Sequence, residues 1–164
     1  MSYGVRVPVG VRENLAYRRR VLDVARRGPR WERALWEMCR ADIFFWIDTY
    51  VWQFNPKSTG ASSLELGPFI CWDYQREAVR KVRWCIKKKR DLVIEKSRDM
   101  GASWLCLVVM LHGFLFDQDK KFLCVSRNAD AVDAKDPDSL FWKLDFVMGR
   151  IPLWMHPRHK TGEP

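Results

Sequence analysis

Asp91-Leu92-Val93-Ile94-Glu95-Lys96-Ser97-Arg98-Asp99-Met100-Gly101-Ala102-Ser103 is the stretch on which the fold turns. Its first five residues are a short apolar run with β-branched side chains at the centre, which reads as a buried strand. Lys96 to Gly101 is polar and ends in glycine, so it reads as a loop. From Ala102 to Phe116 the chain is apolar except at Ser103, His112 and Gly113. That run is shorter than the roughly 20 residues a bilayer span needs, and it reads as a buried helix. Lys121-Phe122-Leu123-Cys124-Val125 repeats the strand pattern. Strand, loop, helix, strand is a βαβ unit, which implies a parallel sheet flanked by helices and an α/β fold class.

Upstream the pattern is helical. Residues 12–27 place Leu15, Leu22 and Ala25 on one face among many arginines, with Gly28-Pro29 as a stop. Within them Arg18-Arg19-Arg20 reads as a solvated face, or as a contact to phosphates. A second helix runs from near Arg30 through Leu35 and Cys39 to Trp46, and ends around Asn55-Pro56 before a Gly/Ser-rich loop. Asp73 is a good N-cap for a third, whose buried stripe is Tyr74, Ala78, Val82, Cys85 and Ile86. Lys87-Lys88-Lys89-Arg90 closes it, where the helix macrodipole favours cations. Asp136-Pro137 opens a last helix that Ile151-Pro152 ends. The expected organisation is a helical N-terminal region (1–56), a loop (57–68) and an α/β portion (69–164).

Composition narrows the function classes. The chain has 164 residues, 48% hydrophobic and 30% charged, a globular balance sufficient for one domain with a core. Lys and Arg number 29 against 20 Asp and Glu, a net charge of +9 that favours a polyanionic partner. Five cysteines without a C-x-x-C pair argue against a disulfide framework and a zinc site, and fit a reducing cytosol. His156 and His159 lack a cysteine or carboxylate cluster beside them. Met1 to Arg20 is polar and basic, unlike a secretory signal. A soluble protein is expected.

The strand-to-helix loop is a place where nucleotide phosphates are commonly cradled, because free N–H groups and the positive dipole end meet there. Set against G-x-x-x-x-G-K-[ST], Gly101 fills the second glycine position and Ser103 the final hydroxyl. Ala102 stands in the lysine position and Lys96 in that of the first glycine. A lysine at the other end of a curled loop still brings an ammonium to the β/γ-phosphates. Gly101 permits the turn, Ser103 offers a hydroxyl to Mg²⁺, and Arg98 can stabilise charge at the γ-phosphate. Trp72-Asp73-Tyr74-Gln75 opens the preceding helix. A Gln amide matches the adenine edge, and an aromatic ring nearby can stack on the base. A basic turn that binds nothing is the alternative for the loop, and an ordinary helix start is the alternative for Gln75.

Phe69-Ile70-Cys71-Trp72-Asp73-Tyr74-Gln75-Arg76, followed by Glu95-Lys96-Ser97-Arg98-Asp99-Met100-Gly101-Ala102-Ser103-Trp104, resembles the terminase large subunit of tailed bacteriophages. The first stretch is similar to that family's adenine-sensing Q motif and the second to its deviant Walker A, whose lysine in some members sits at the start of the loop. The likeness continues through Val125-Ser126-Arg127, Asp136 to Lys143 and Ile151 to Met155. It implies a P-loop NTPase-type parallel sheet flanked by helices, with a helical N-terminal extension. It implies ATP and Mg²⁺, with Tyr74 and Gln75 at adenine, Lys96, Ser97, Arg98, Asp99, Met100, Gly101 and Ala102 around the phosphates, and Ser103 on the metal. It further implies a motor that moves double-stranded DNA into procapsids in a bacterial cytoplasm. Such a motor works as a homo-oligomeric ring with a small terminase subunit and a portal protein.

Hydrolysis on that scheme needs a Walker B strand with an Asp for Mg²⁺ and a Glu for water. None follows the loop. Phe44-Phe45-Trp46-Ile47-Asp48 precedes it and continues a helical pattern, while Asp145 and Glu163 lack the apolar run. The family's nuclease part is also missing. These residues are therefore expected to be the front of a motor, with an incomplete sheet, able to bind ATP but not to turn it over alone. Two alternatives stay open: a basic DNA-binding or assembly module without a nucleotide role, and a segment of a helicase-type translocase.

Overall fold

The computed structural model describes residues 5–54, 66–97, 100–117 and 120–157. In chain order come α1 (Val11–Ala25), α2 (Pro29–Ala41), α3 (Ile43–Tyr50), β1 (Trp52–Phe54), β2 (Leu66–Pro68), α4 (Asp73–Lys88) and α5 (Ala102–Phe116). A single turn, α6 (Ala129–Val132), then α7 (Leu140–Met148) and a 3₁₀ turn at Leu153–Met155 complete the described chain. β1 and β2 are antiparallel, with Gln53 opposite Gly67.

The expected parallel sheet is not there. Among the described residues the two-stranded β1–β2 ribbon is the whole of the sheet, and the protein is otherwise helical. Residues 91–95 and 121–125 form no ladder with each other. Val93 is 92% exposed and Leu123 86%. An apolar, β-branched run makes a strand only where a partner supplies hydrogen bonds and both faces are covered. Two segments cannot meet those conditions by themselves. Phe122 does pack on α5, where a Cβ added to Gly113 would come within 2.7 Å of its ring.

Helix boundaries follow local chemistry. Gly28, at φ 131°, precedes Pro29 at the first position of α2. The single long second helix expected from the sequence is broken in two. The Asp42 carboxylate accepts from the N–H groups of Phe44 (2.9 Å) and Phe45 (3.3 Å), ending α2 and capping α3. α7 begins three residues later than Asp136-Pro137 suggests, capped by Ser139, whose hydroxyl accepts from Trp142 N–H at 3.3 Å. Asp136 instead accepts from Asp138 N–H at 2.7 Å, forming a turn of its own.

The core centres on α5, buried on nearly every side and packed against α2, α3, α4 and α7. One continuous cluster joins Val21, Leu35, Trp46, Val79, Val108 and Val147, so α1–α3 and the later helices share one core. His112 sits inside it. Its Nε2 is 2.9 Å from the Cys39 carbonyl, and its ring lies 5.5 Å from Trp46 and 4.8 Å from Phe116. A carbonyl can only accept, so that nitrogen carries the proton. Among the described residues no helix is long and apolar enough to cross a membrane.

Candidate functional site

α4 and α5 are neighbours, and their N-termini set the site. α4 starts after Trp72, whose backbone N–H donates to Gln75 Oε1 at 3.1 Å. Gln75 thus reaches back to close its own helix, a standard use of this side chain in the first turn. Its Nε2 donates to the Met100 carbonyl at 3.4 Å. Gly101 follows with φ 74°, in left-handed conformation, as the N-cap of α5. A side chain there would be strained by that φ and would also meet Gln75 Nε2 at 3.2 Å. Two separate sequence stretches therefore converge on Gln75, Met100 and Gly101.

Among the described residues no side chain caps the first-turn N–H groups of α5, and no acidic residue lies in that turn. Ala102 is its first residue, half-buried, and Ser103 its second, exposed. The macrodipole and the orphan N–H groups together favour an anion at such an end. Lys96 and Ser97 lie exposed on the irregular segment after α4, and Lys96 makes no hydrogen bond or ion pair with any described residue. Arg98 and Asp99 lie outside the described residues. Tyr74 is 47% exposed at the mouth of an open groove of about 700 Å³, whose walls include Trp84, Leu92 and Ile94.

Gln75 is buried, and part of its hydrogen-bonding capacity is already used. One amide hydrogen and one carbonyl lone pair remain for a further partner. Ser103 and the first turn of α5 offer a hydroxyl and N–H groups of the kind that a nucleotide phosphate and its Mg²⁺ use, and Lys96 lies on the exposed segment that precedes them. Among the described residues no group of three His, Cys, Asp or Glu side chains could hold a metal by itself.

Beneath the site lies a buried polar network that the sequence did not announce. Arg18, grouped with its neighbours as a surface run, is 4% exposed. Its Nε donates to Asn14 Oδ1 (2.7 Å), and its Nη atoms donate to the carbonyls of Val51 (2.9 Å) and Ile47 (3.4 Å). It thus satisfies carbonyls at the C-terminus of α3, where a cation is favoured. Its guanidinium also sits 5.0 Å from the Trp52 ring centre. Burial lowers the Arg18 pKa to about 10, against the opposing pull of Asp48. Asp48, buried in α3, pairs with Arg76 of α4 and accepts from Cys71 N–H at 3.5 Å. Burial raises the Asp48 carboxyl, while Arg76, the Cys71 N–H and Arg18 lower it. The network fixes the α4 start, and with it Gln75, relative to α1 and α3.

Comparison of the chain with protein-family models, with curated proteins and with solved structures found no match.

Proposed function

We propose that this chain binds ATP with Mg²⁺ at the start of α5, as the nucleotide-binding portion of a terminase-type DNA-packaging motor. The observation that carries this reading is the Gln75–Met100 contact. It joins the two stretches whose order and wording resemble the family's Q motif and Walker A. The parallel sheet expected around them is no part of the proposal.

In this reading the first-turn N–H groups of α5 and the Lys96 ammonium hold the phosphates. Gly101 lets the backbone approach them closely, and Ser103 gives its hydroxyl to Mg²⁺. Gln75 uses its remaining donor and acceptor on adenine, with Tyr74 beside it. Arg98, between Lys96 and Gly101 in sequence, supplies charge stabilisation in this reading. Double-stranded DNA, a small terminase subunit, a portal protein and further copies in a ring are the partners of the working motor, at the procapsid in a bacterial host. Hydrolysis by these residues alone is not proposed, because no Asp-Glu pair on an apolar strand accompanies the loop.

The test is titration of a fluorescent ATP analogue with and without Mg²⁺. Lys96→Ala removes one charge-assisted contact and should weaken binding ten- to a hundredfold, about 1.5–3 kcal/mol. Ser103→Ala should remove most of the Mg²⁺ dependence. Equal affinity in wild type and Lys96→Ala would overturn the reading.

A further inference from the structure

α4 carries Arg80, Arg83, Trp84 and Lys87, positions i, i+3, i+4 and i+7, so they form one stripe along the helix. The stripe borders a groove of about 580 Å³ between α4 and the end of α5, to which Lys89 and Lys120 also contribute. Among the described residues lining it, Asp117 is the one carboxylate against five cations. No described carboxylate forms an ion pair with Arg83, Lys87, Lys89 or Lys120.

The helix dipole accounts for Lys87 and Lys88 in the last turn. Its influence fades within that turn, so it does not account for Arg80 and Arg83. Like charges at this spacing repel and cost the helix stability. A bound polyanion relieves that repulsion.

Trp84 identifies the polyanion. The indole is 45% exposed and forms part of the wall between this groove and the one beside Tyr74. The Lys81 ammonium lies 5.1 Å from the ring centre. An accessible aromatic ring set among cations is the combination that binds single strands, with phosphates on the cations and a base on the ring. A duplex keeps its base faces stacked away, and an acidic peptide has no flat face to offer.

We infer that the α4–α5 groove is a binding site for single-stranded nucleic acid, with Arg83 and Lys87 on the phosphates and Trp84 stacked on a base. Trp84 also lines the groove beside Tyr74, but none of Arg83, Trp84 and Lys87 is assigned to the nucleotide, so this inference stands or falls separately from that reading.

The test is fluorescence anisotropy of a labelled oligothymidine with the whole chain, without nucleotide, over a range of salt. The double variant Arg83→Gln/Lys87→Gln should bind at least tenfold more weakly at low salt. Its slope of log affinity against log salt should be shallower by about 1.4, the value for two lost contacts to a single strand. Trp84→Ala should lose about tenfold with the slope unchanged. Arg19→Gln/Arg20→Gln removes as much charge elsewhere and should bind nearly as wild type does. Thermal melts confirm that each variant folds. The inference is overturned if Arg83→Gln/Lys87→Gln binds as wild type does, or if a duplex of equal length binds more tightly and Trp84→Ala has no effect. Displacement by poly-glutamate at equal charge concentration would also overturn it, in favour of an acidic protein.

Discussion

Gln75 and Met100, 25 residues apart in sequence, are joined by a hydrogen bond from the Gln75 amide to the Met100 carbonyl at 3.4 Å. The other end of the same amide accepts from Trp72 N–H at 3.1 Å. One side chain thus closes the N-terminus of α4 and holds the entry to α5. Gln75→Ala removes both bonds and should cost about 1–2 kcal/mol in urea unfolding. Gln75→Glu keeps the acceptor for Trp72 but sets a buried carboxylate against the Met100 carbonyl, so at neutral pH its loss should be at least that of alanine and should shrink as acid protonates the carboxyl. A Gln75→Glu protein as stable as wild type at neutral pH would mean that the Met100 contact contributes nothing.

Gly101 completes that junction from the other side. Its φ of 74° disfavours any residue with a Cβ, and that Cβ would lie 3.2 Å from Gln75 Nε2. Gly101→Ala should therefore destabilise by about 1–2 kcal/mol. Because the two residues touch, Gly101→Ala combined with Gln75→Ala should cost less than the two singles together. Strict additivity in the double-mutant cycle would separate the strain at Gly101 from the contact with Gln75.

The run Arg18-Arg19-Arg20 offers a sharper contrast, since three identical neighbours have different environments. Arg18 is buried on the carbonyls of Ile47 and Val51, whereas Arg19 and Arg20 are exposed. Arg18→Ala leaves those carbonyls and Asn14 Oδ1 without their donor, and should cost about 3 kcal/mol or more. Arg19→Ala and Arg20→Ala should each stay within about 0.5 kcal/mol of wild type. Three chemical denaturation curves decide it.

Arg18 also shows where the sequence stops being informative. Leu15 and Leu22 mark the apolar face of α1 by composition, yet both are partly exposed while Asn14 and Arg18 are buried. What overturns the pattern is the C-terminus of α3, whose carbonyls need donors, and no periodicity in α1 records that need. α5 was legible because its apolar run is long enough to demand burial on every side. The segments 91–95 and 121–125 misled because a strand is defined by its partner, which their own residues do not specify. The closeness of Gln75 to the loop was legible only as the order of two motifs. The stripe of Arg80, Arg83, Trp84 and Lys87 follows helical spacing, but the run Lys87-Lys88-Lys89-Arg90 masks it in sequence because the helix dipole already explains cations there.

His112 makes folding stability depend on pH. Burial in the core lowers its pKa from 6.5 to about 4, against the opposing effect of its bond to the Cys39 carbonyl. Between those two values the unfolded chain holds a proton on His112 that the folded chain does not, so acid favours unfolding. This contribution to stability is fully present above pH 6.5 and is lost progressively as pH falls from 6.5 to about 4. Integrated over that window it amounts to about 3 kcal/mol. His112→Gln keeps an N–H donor for Cys39 without a titrating group, and should flatten the pH dependence between pH 4 and 7 even if its neutral-pH stability is lower. Urea midpoints of both proteins across that range are the measurement. Parallel pH curves for wild type and His112→Gln would show that the folded protein takes up the His112 proton near its ordinary pKa without unfolding the core.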